Sequence, residues 1–299
     1  MPEADATRPP GAYRPGTPQR SEAFFLKGSN ELDWGMKNRL AGIFDPRSGR
    51  TVMLAFDHGY FQGPTSGLER IDLDIVPLAA WADTLMCTRG ILRSTIPPTY
   101  RGGIVLRASG GPSVLSDDLS DEEIALSVEE AVRLNAAAVA VQVFIGGRNE
   151  RKSVHNLTRL VDRGSRYGIA TLAVTAVGRE MTRDARYMRL ATRICAELGA
   201  TYVKTYYVAD GFDTVTAACP VPVVIAGGKK LGEREALRLA ADAVAQGAAG
   251  VDMGRNIFQS EHPAAMIQAV RRVVHDGAAE EEAYDLYREL AHQPETAAV

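Results

Sequence analysis

From residue 51 the chain alternates short apolar runs with longer stretches in which apolar side chains recur every three or four positions. A short continuous apolar run is the mark of a strand buried on both faces, and the longer period is that of a helix with one face on a core. The runs fall at residues 51–56, 84–87, 104–107, 136–145, 169–177, 200–208, 221–226 and 249–253, which makes eight. Helical stretches lie between or after them at 121–135, 153–167, 180–198, 232–246 and 262–275, and a terminal one covers 280–290. Ser120 with Glu123 three residues later reads as the capping box of the first of these helices. Residues 31–43, with Leu32, Trp34, Met36 and Leu40, predict a short helix able to cover one end of a barrel.

Buried strands that alternate with helices imply a parallel sheet covered on its outer face. Eight such units in about 225 residues fit a closed (β/α)8 barrel better than an open doubly wound sheet. No Gly-x-Gly-x-x-Gly follows the first run, which weakens a dinucleotide-binding alternative. The expected organisation is a Pro-rich flexible tail over residues 1–22, then a single (β/α)8 barrel over 23–299 with an extra C-terminal helix.

Composition narrows the function. With 45% hydrophobic and 24% charged residues the chain has enough apolar surface for a large core. A net charge of −3 gives no electrostatic reason to expect nucleic acid or an anionic membrane as partner. No apolar run approaches the roughly 20 residues of a membrane span, and no secretory h-region opens the chain. The three cysteines, Cys87, Cys195 and Cys219, have neither metal-ligand spacing nor an even count, so a reducing cytoplasm is the expected setting. The histidines are scattered, and no metal is expected.

In a barrel of this type the chemistry sits at the carboxyl ends of the strands. The sixth run carries Lys204 between apolar and aromatic neighbours. Burial in such surroundings penalises an ammonium, and a fall from about 10.4 towards 7–8 would be worth about 4 kcal/mol. The neutral amine is the nucleophile that forms an imine with a carbonyl substrate. A strand-end lysine that snorkels to solvent is the plainer alternative. The first run ends Asp57-His58-Gly59, where Asp57 is placed to orient a hydroxyl or shuttle a proton, and His58 is a weaker candidate. The seventh ends Ala226-Gly227-Gly228-Lys229, and the eighth Gly254-Arg255. Glycines allow close backbone approach, and the loops after strands seven and eight are the usual phosphate site of this fold. Arg255 can grip a phosphate bidentately, with Lys229 adding charge. Arg89 and Arg107 could meet an anion or form salt bridges, and Cys87 is a possible but unactivated nucleophile.

These strand ends together resemble the class I aldolases of the DeoC/FbaB family, and the resemblance runs over residues 23–287. The longest matching stretches are 32–36, 52–64, 86–90, 204–207, 222–231 and 250–260, which are similar to a branch of acyl-transferring thiolases. The resemblance implies that Lys204 forms a Schiff base, that the glycine and arginine loops hold phosphate, and that the protein is a cytoplasmic homo-oligomer, a decamer. It implies a phosphorylated diketone derived from a quorum-sensing signal as substrate, and coenzyme A as co-substrate with no bound cofactor. Phe144 stands where relatives carry a tyrosine read as general acid/base, which would pass that role to Asp57, Tyr206, Tyr207 or water. An aldolase acting on another phosphorylated sugar, or a transaldol enzyme, would also need Lys204. A non-catalytic sugar-phosphate sensor would keep the loops and need neither Lys204 nor Asp57.

Overall fold

The computed structural model describes residues 23–292 apart from 64 and 177–182. The tail expected over residues 1–22 lies outside these, as does the start of the helix expected from residue 180. Eight parallel strands close into a barrel: β1 (Thr51–Ala55), β2 (Thr84–Cys87), β3 (Gly103–Arg107), β4 (Ala138–Val143), β5 (Ala170–Thr175), β6 (Tyr202–Tyr206), β7 (Val223–Ala226) and β8 (Gly250–Met253). Each strand pairs with its neighbours in the chain, and β1 pairs with β8, so the (β/α)8 expectation holds.

Side chains alternate between the two faces of each strand, and this alternation decides what enters the barrel. Val52 and Leu54 of β1, Val203 of β6 and Val251 of β8 pack outward against the helices. Met53, Ala55, Met86, Val105, Ala138, Ala140, Leu172, Val174, Tyr202 and Val224 fill the interior. The helix Trp34–Ala41, capped by Asp33 accepting from the Met36 N–H, closes the lower end as expected. Behind it Phe44 meets Tyr202 edge to face at 5.4 Å. These side chains pack the lower part of the barrel interior, and the pocket lined by the strand ends lies at the upper rim.

One helix starts further along the chain than the expected 121–135. Residues expected to begin a helix at 121 instead form a two-stranded ribbon, Ser109–Gly110 with Glu123–Ile124, and the helix is Val128–Arg133. Its N-cap is Ser127, whose Oγ accepts from the Glu130 N–H. Ser120 accepts instead from Asn149 Nδ2, and Glu123 pairs with Lys152. Glu122 turns inward to the barrel, a tertiary demand that overrides the local capping signal. Among the described residues no helix is long and apolar enough to cross a membrane.

Candidate active site

The upper rim encloses a pocket of about 160 Å3 whose walls come from seven of the eight strand ends or the loops beyond them, with Met86 of β2 as the eighth. The inward positions supply Asp57, Arg107, Gln142, Val174, Lys204 and Asp252. Lys204 is 9% exposed, so it neither snorkels to bulk water nor sits in the apolar setting its neighbours in sequence suggested. Its Nζ lies 2.9 Å from Asp252 Oδ2 and 4.0 Å from Met86 Sδ. The correction has a simple cause: the apolar neighbours of Lys204 in the chain face the helices, and its neighbours in space come from β2 and β8.

Asp252 was not recognised from the sequence as a site residue. A single aspartate in the run Val251-Asp252-Met253 looks like a strand end. The period of two carries the signal that finds it, because Val251 and Met253 face outward and leave Asp252 pointing in. Burial raises the Asp252 carboxyl above the ordinary carboxylate range, and the charge of Lys204 offsets part of that rise.

Opposite, Asp57 Oδ2 accepts from Arg107 Nη1 at 2.8 Å. Arg107 Nη2 also donates to Glu122 Oε1 at 2.6 Å and to Gln142 Oε1 at 2.7 Å, and its Nε donates to the Ser109 carbonyl. Arg107 is therefore committed to protein partners. Burial opposes its charge, but Asp57 and Glu122 outweigh that and keep the guanidinium protonated. Tyr60 donates to Glu122 at 2.9 Å, and burial pushes its phenol up to about 12. His58 lines the pocket and stacks on Phe258. Burial lowers its pKa, so it is neutral at pH 7 and a poor proton donor there.

The loops after β7 and β8 meet at one side of the pocket, where Ala226, Gly227, Gly228, Gly254 and Arg255 contribute to the wall. Arg255 Nη2 donates to the Gly228 carbonyl at 2.7 Å, which orients the guanidinium across the glycine loop. Asn256, also missed by the sequence reading, staples the two loops: its Nδ2 donates to the Gly227 carbonyl and its Oδ1 accepts from the Leu231 N–H. Lys229 is exposed and is not part of the pocket wall. Arg89 is exposed as well.

Three further expectations are corrected. Cys87 is fully buried and lies off the pocket wall, and burial pushes its thiol far up, so it is no nucleophile. Phe144 lies beyond the end of β4 and lines a second cavity of about 650 Å3, not the Lys204 pocket. Tyr207 faces outward, accepting from Gln246 Nε2 at 2.9 Å. Tyr206 does reach the pocket, with Arg183 over its ring at 4.2 Å. The two cavities share Phe61, Gln62, Gln142 and Tyr206 as a common wall.

A parallel barrel with a buried lysine near the end of β6, under glycine loops at β7 and β8, is the arrangement of an imine-forming aldolase. Residues 51–260 match the profile of the DeoC/LacD family aldolases, and the chain belongs to that family. It is 62% identical over 274 residues to the 3-hydroxy-5-phosphonooxypentane-2,4-dione thiolase of Enterobacter sp. (strain 638), covering 92% of each chain. To the enzyme of the same name from Escherichia coli (strain K12) it is 59% identical over 275 residues, covering 92% of this chain and 94% of the relative. Among solved structures, an archaeal fructose-1,6-bisphosphate aldolase with its catalytic lysine covalently bound to the carbinolamine intermediate superposes with a TM-score of 0.73. That protein is 25% identical, over 80% of this chain and 99% of its own.

Proposed function

We propose that the protein is a Schiff-base-forming acyltransferase that cleaves 3-hydroxy-5-phosphonooxypentane-2,4-dione with coenzyme A, giving acetyl-CoA and dihydroxyacetone phosphate. The observation that carries this reading is Lys204, buried on β6 with its Nζ at the pocket floor and the Gly227-Gly228 and Gly254-Arg255 loops beside it. The identity of about 60% to thiolases of that name supports the choice of substrate.

The phosphate of the substrate binds at the glycine loops, with Arg255 as the charged partner. This places the adjacent ketone, C4, over Lys204, which condenses with it to an iminium and releases water. The thiol of coenzyme A adds to the other ketone, C2. When the resulting alkoxide collapses, the C2–C3 bond breaks and its electron pair flows into the iminium, leaving acetyl-CoA and a lysine-bound enamine. Protonation at C3 and hydrolysis free dihydroxyacetone phosphate. The proton lost by the thiol equals the one gained at C3, and Asp57 on the pocket wall is the carrier, with Arg107 fixing its orientation. On the same reading the enzyme takes part in removing a phosphorylated quorum-sensing signal, as a cytoplasmic homodecamer.

The test is acetyl-CoA formation from the phosphorylated dione with and without coenzyme A. Acetyl-CoA together with dihydroxyacetone phosphate, only when coenzyme A is present, is the expected result. Cleavage that proceeds equally without coenzyme A would instead favour the second reading, an aldolase acting on a phosphorylated sugar, which the likeness to the archaeal aldolase supports.

A further inference from the structure

Asp252 is 1% exposed, and among the described residues neither of its carboxylate oxygens has a hydrogen-bond donor in good geometry. The cation it touches is Lys204, at 2.9 Å. This is an unusual position for a carboxylate that serves stability alone, because a buried carboxylate is normally held by several donors. Asp57, by contrast, has Arg107 as a permanent partner and Arg107 has Glu122 as well. Of the two carboxylates that the described residues place on the pocket wall, Asp57 and Asp252, only Asp252 has a partner whose charge must change during catalysis.

We propose that Asp252 is a catalytic residue for imine formation: it takes the proton that Lys204 must lose before attack and returns it to the departing hydroxyl of the carbinolamine. The proposal rests on the imine reading given above and assigns a proton route within it. In water an ammonium holds its proton against a carboxylate by about 6 pK units. Burial penalises a charged ion pair, and the neutral pair of amine and carboxylic acid escapes that penalty. The upward displacement of the Asp252 carboxyl by burial points the same way.

The atoms and charges balance. Proton transfer gives the free amine and the acid. The amine nitrogen bonds to the ketone carbon, the carbonyl electron pair moves to oxygen, and one N–H proton passes to that oxygen to give a neutral carbinolamine. The Asp252 acid then protonates the hydroxyl, the C–O bond breaks, water leaves, and the nitrogen lone pair forms the iminium. Lys204 begins with three protons on nitrogen and ends with one, and the other two leave in the water. At the end an iminium faces the Asp252 carboxylate, so the buried charge is again matched.

The rate of covalent trapping tests this. Dihydroxyacetone phosphate and borohydride are added to the full-length protein, and the adduct is followed by mass as a function of pH. For the wild type we expect an adduct whose rate varies little between pH 7 and 9. Asp252→Asn should trap about 100-fold more slowly at pH 7, the lower end of what a positioned acid–base group contributes. Its rate should rise about tenfold per pH unit, because solvent hydroxide then has to remove the lysine proton. Asp252→Glu, which keeps a carboxylate, should recover part of the rate and the flat profile. Circular dichroism of each variant checks folding. Asp252→Asn that traps at the wild-type rate overturns the proposal and leaves the imine reading intact, and so does slow trapping in both variants with no pH slope. No adduct on the wild type overturns the imine reading and this proposal together.

Discussion

At the scale of single residues the site is a set of buried charges with unequal freedom. Arg107 is fully committed, since it joins Asp57, Glu122, Gln142 and the Ser109 carbonyl, whereas Lys204 has one ionic partner and an open side towards the pocket. Replacing Arg107 with Met would leave Asp57 and Glu122 buried without a cation. A loss of roughly 3–5 kcal/mol in urea unfolding is expected, with catalysis falling alongside. Arg255→Ala removes a grip without leaving a buried charge behind. Its expected signature is a KM for the phosphorylated dione raised about 30-fold, about 2 kcal/mol, with a smaller change in kcat. An unchanged KM would remove Arg255 from the phosphate site. Lys204 and Asp57 were legible in the sequence because a charged residue in or just after an apolar run stands out. The partners were harder to see. Asp252 bears a similar mark, a charge in the run 249–253 that the period of two turns inward, whereas Glu122 and Asn256 reach the site from other elements, and the chain carries no local mark of which residues a barrel brings face to face.

At the scale of elements, the strand alternation does most of the positioning. Because β1, β3, β6 and β8 each place every second side chain inward, Asp57, Arg107, Lys204 and Asp252 converge on one pocket. Eight strands were legible as apolar runs; six of the runs overshot their strands by one to four residues, the run 84–87 matched β2, and the run 104–107 fell one residue short of β3. The region 121–135 was misread because Ser120 and Glu123 imitate a cap, while Glu122 is drawn in by Arg107. One backbone position is as critical as any side chain. Gly250 opens β8 at φ +121°, and a Cβ there would stand 2.0 Å from the Thr51 carbonyl oxygen on β1. Gly250→Ala should therefore cost roughly 2–4 kcal/mol in thermal or urea unfolding, through strain at the β1–β8 seam. Wild-type stability in that variant would show that the seam can shift.

At the scale of the whole molecule β1 is tied near its lower end by Asp83. Its carboxylate accepts from the Val52 N–H at 2.7 Å and from Arg271 Nη1 at 2.7 Å, and it faces His275 Nε2 at 2.8 Å. These contacts join β1 and the segment before β2 to the helix Pro263–Asp276, so they help hold the barrel shut far from the pocket. Burial opposes the Asp83 charge, but the bonds from His275, Arg271 and Val52 outweigh it and leave the carboxyl below its ordinary range. A depressed folded-state pKa contributes stability above the unfolded value of about 3.9, and that contribution is lost as pH falls through the folded value. Asp83→Asn should thus lower stability at pH 7 by roughly 2–3 kcal/mol and leave a smaller dependence on pH below about 4. Urea midpoints measured from pH 3 to 7 check both parts.

The claim on which the rest depends is that Lys204 forms an imine with a phosphorylated ketone. Its most direct test is borohydride reduction in the presence of dihydroxyacetone phosphate, followed by peptide mass mapping. The account predicts one reduced adduct per chain, on the peptide containing Lys204, and none in Lys204→Met. An adduct on another lysine, or no adduct on a wild-type enzyme that still forms acetyl-CoA from the dione, would contradict it.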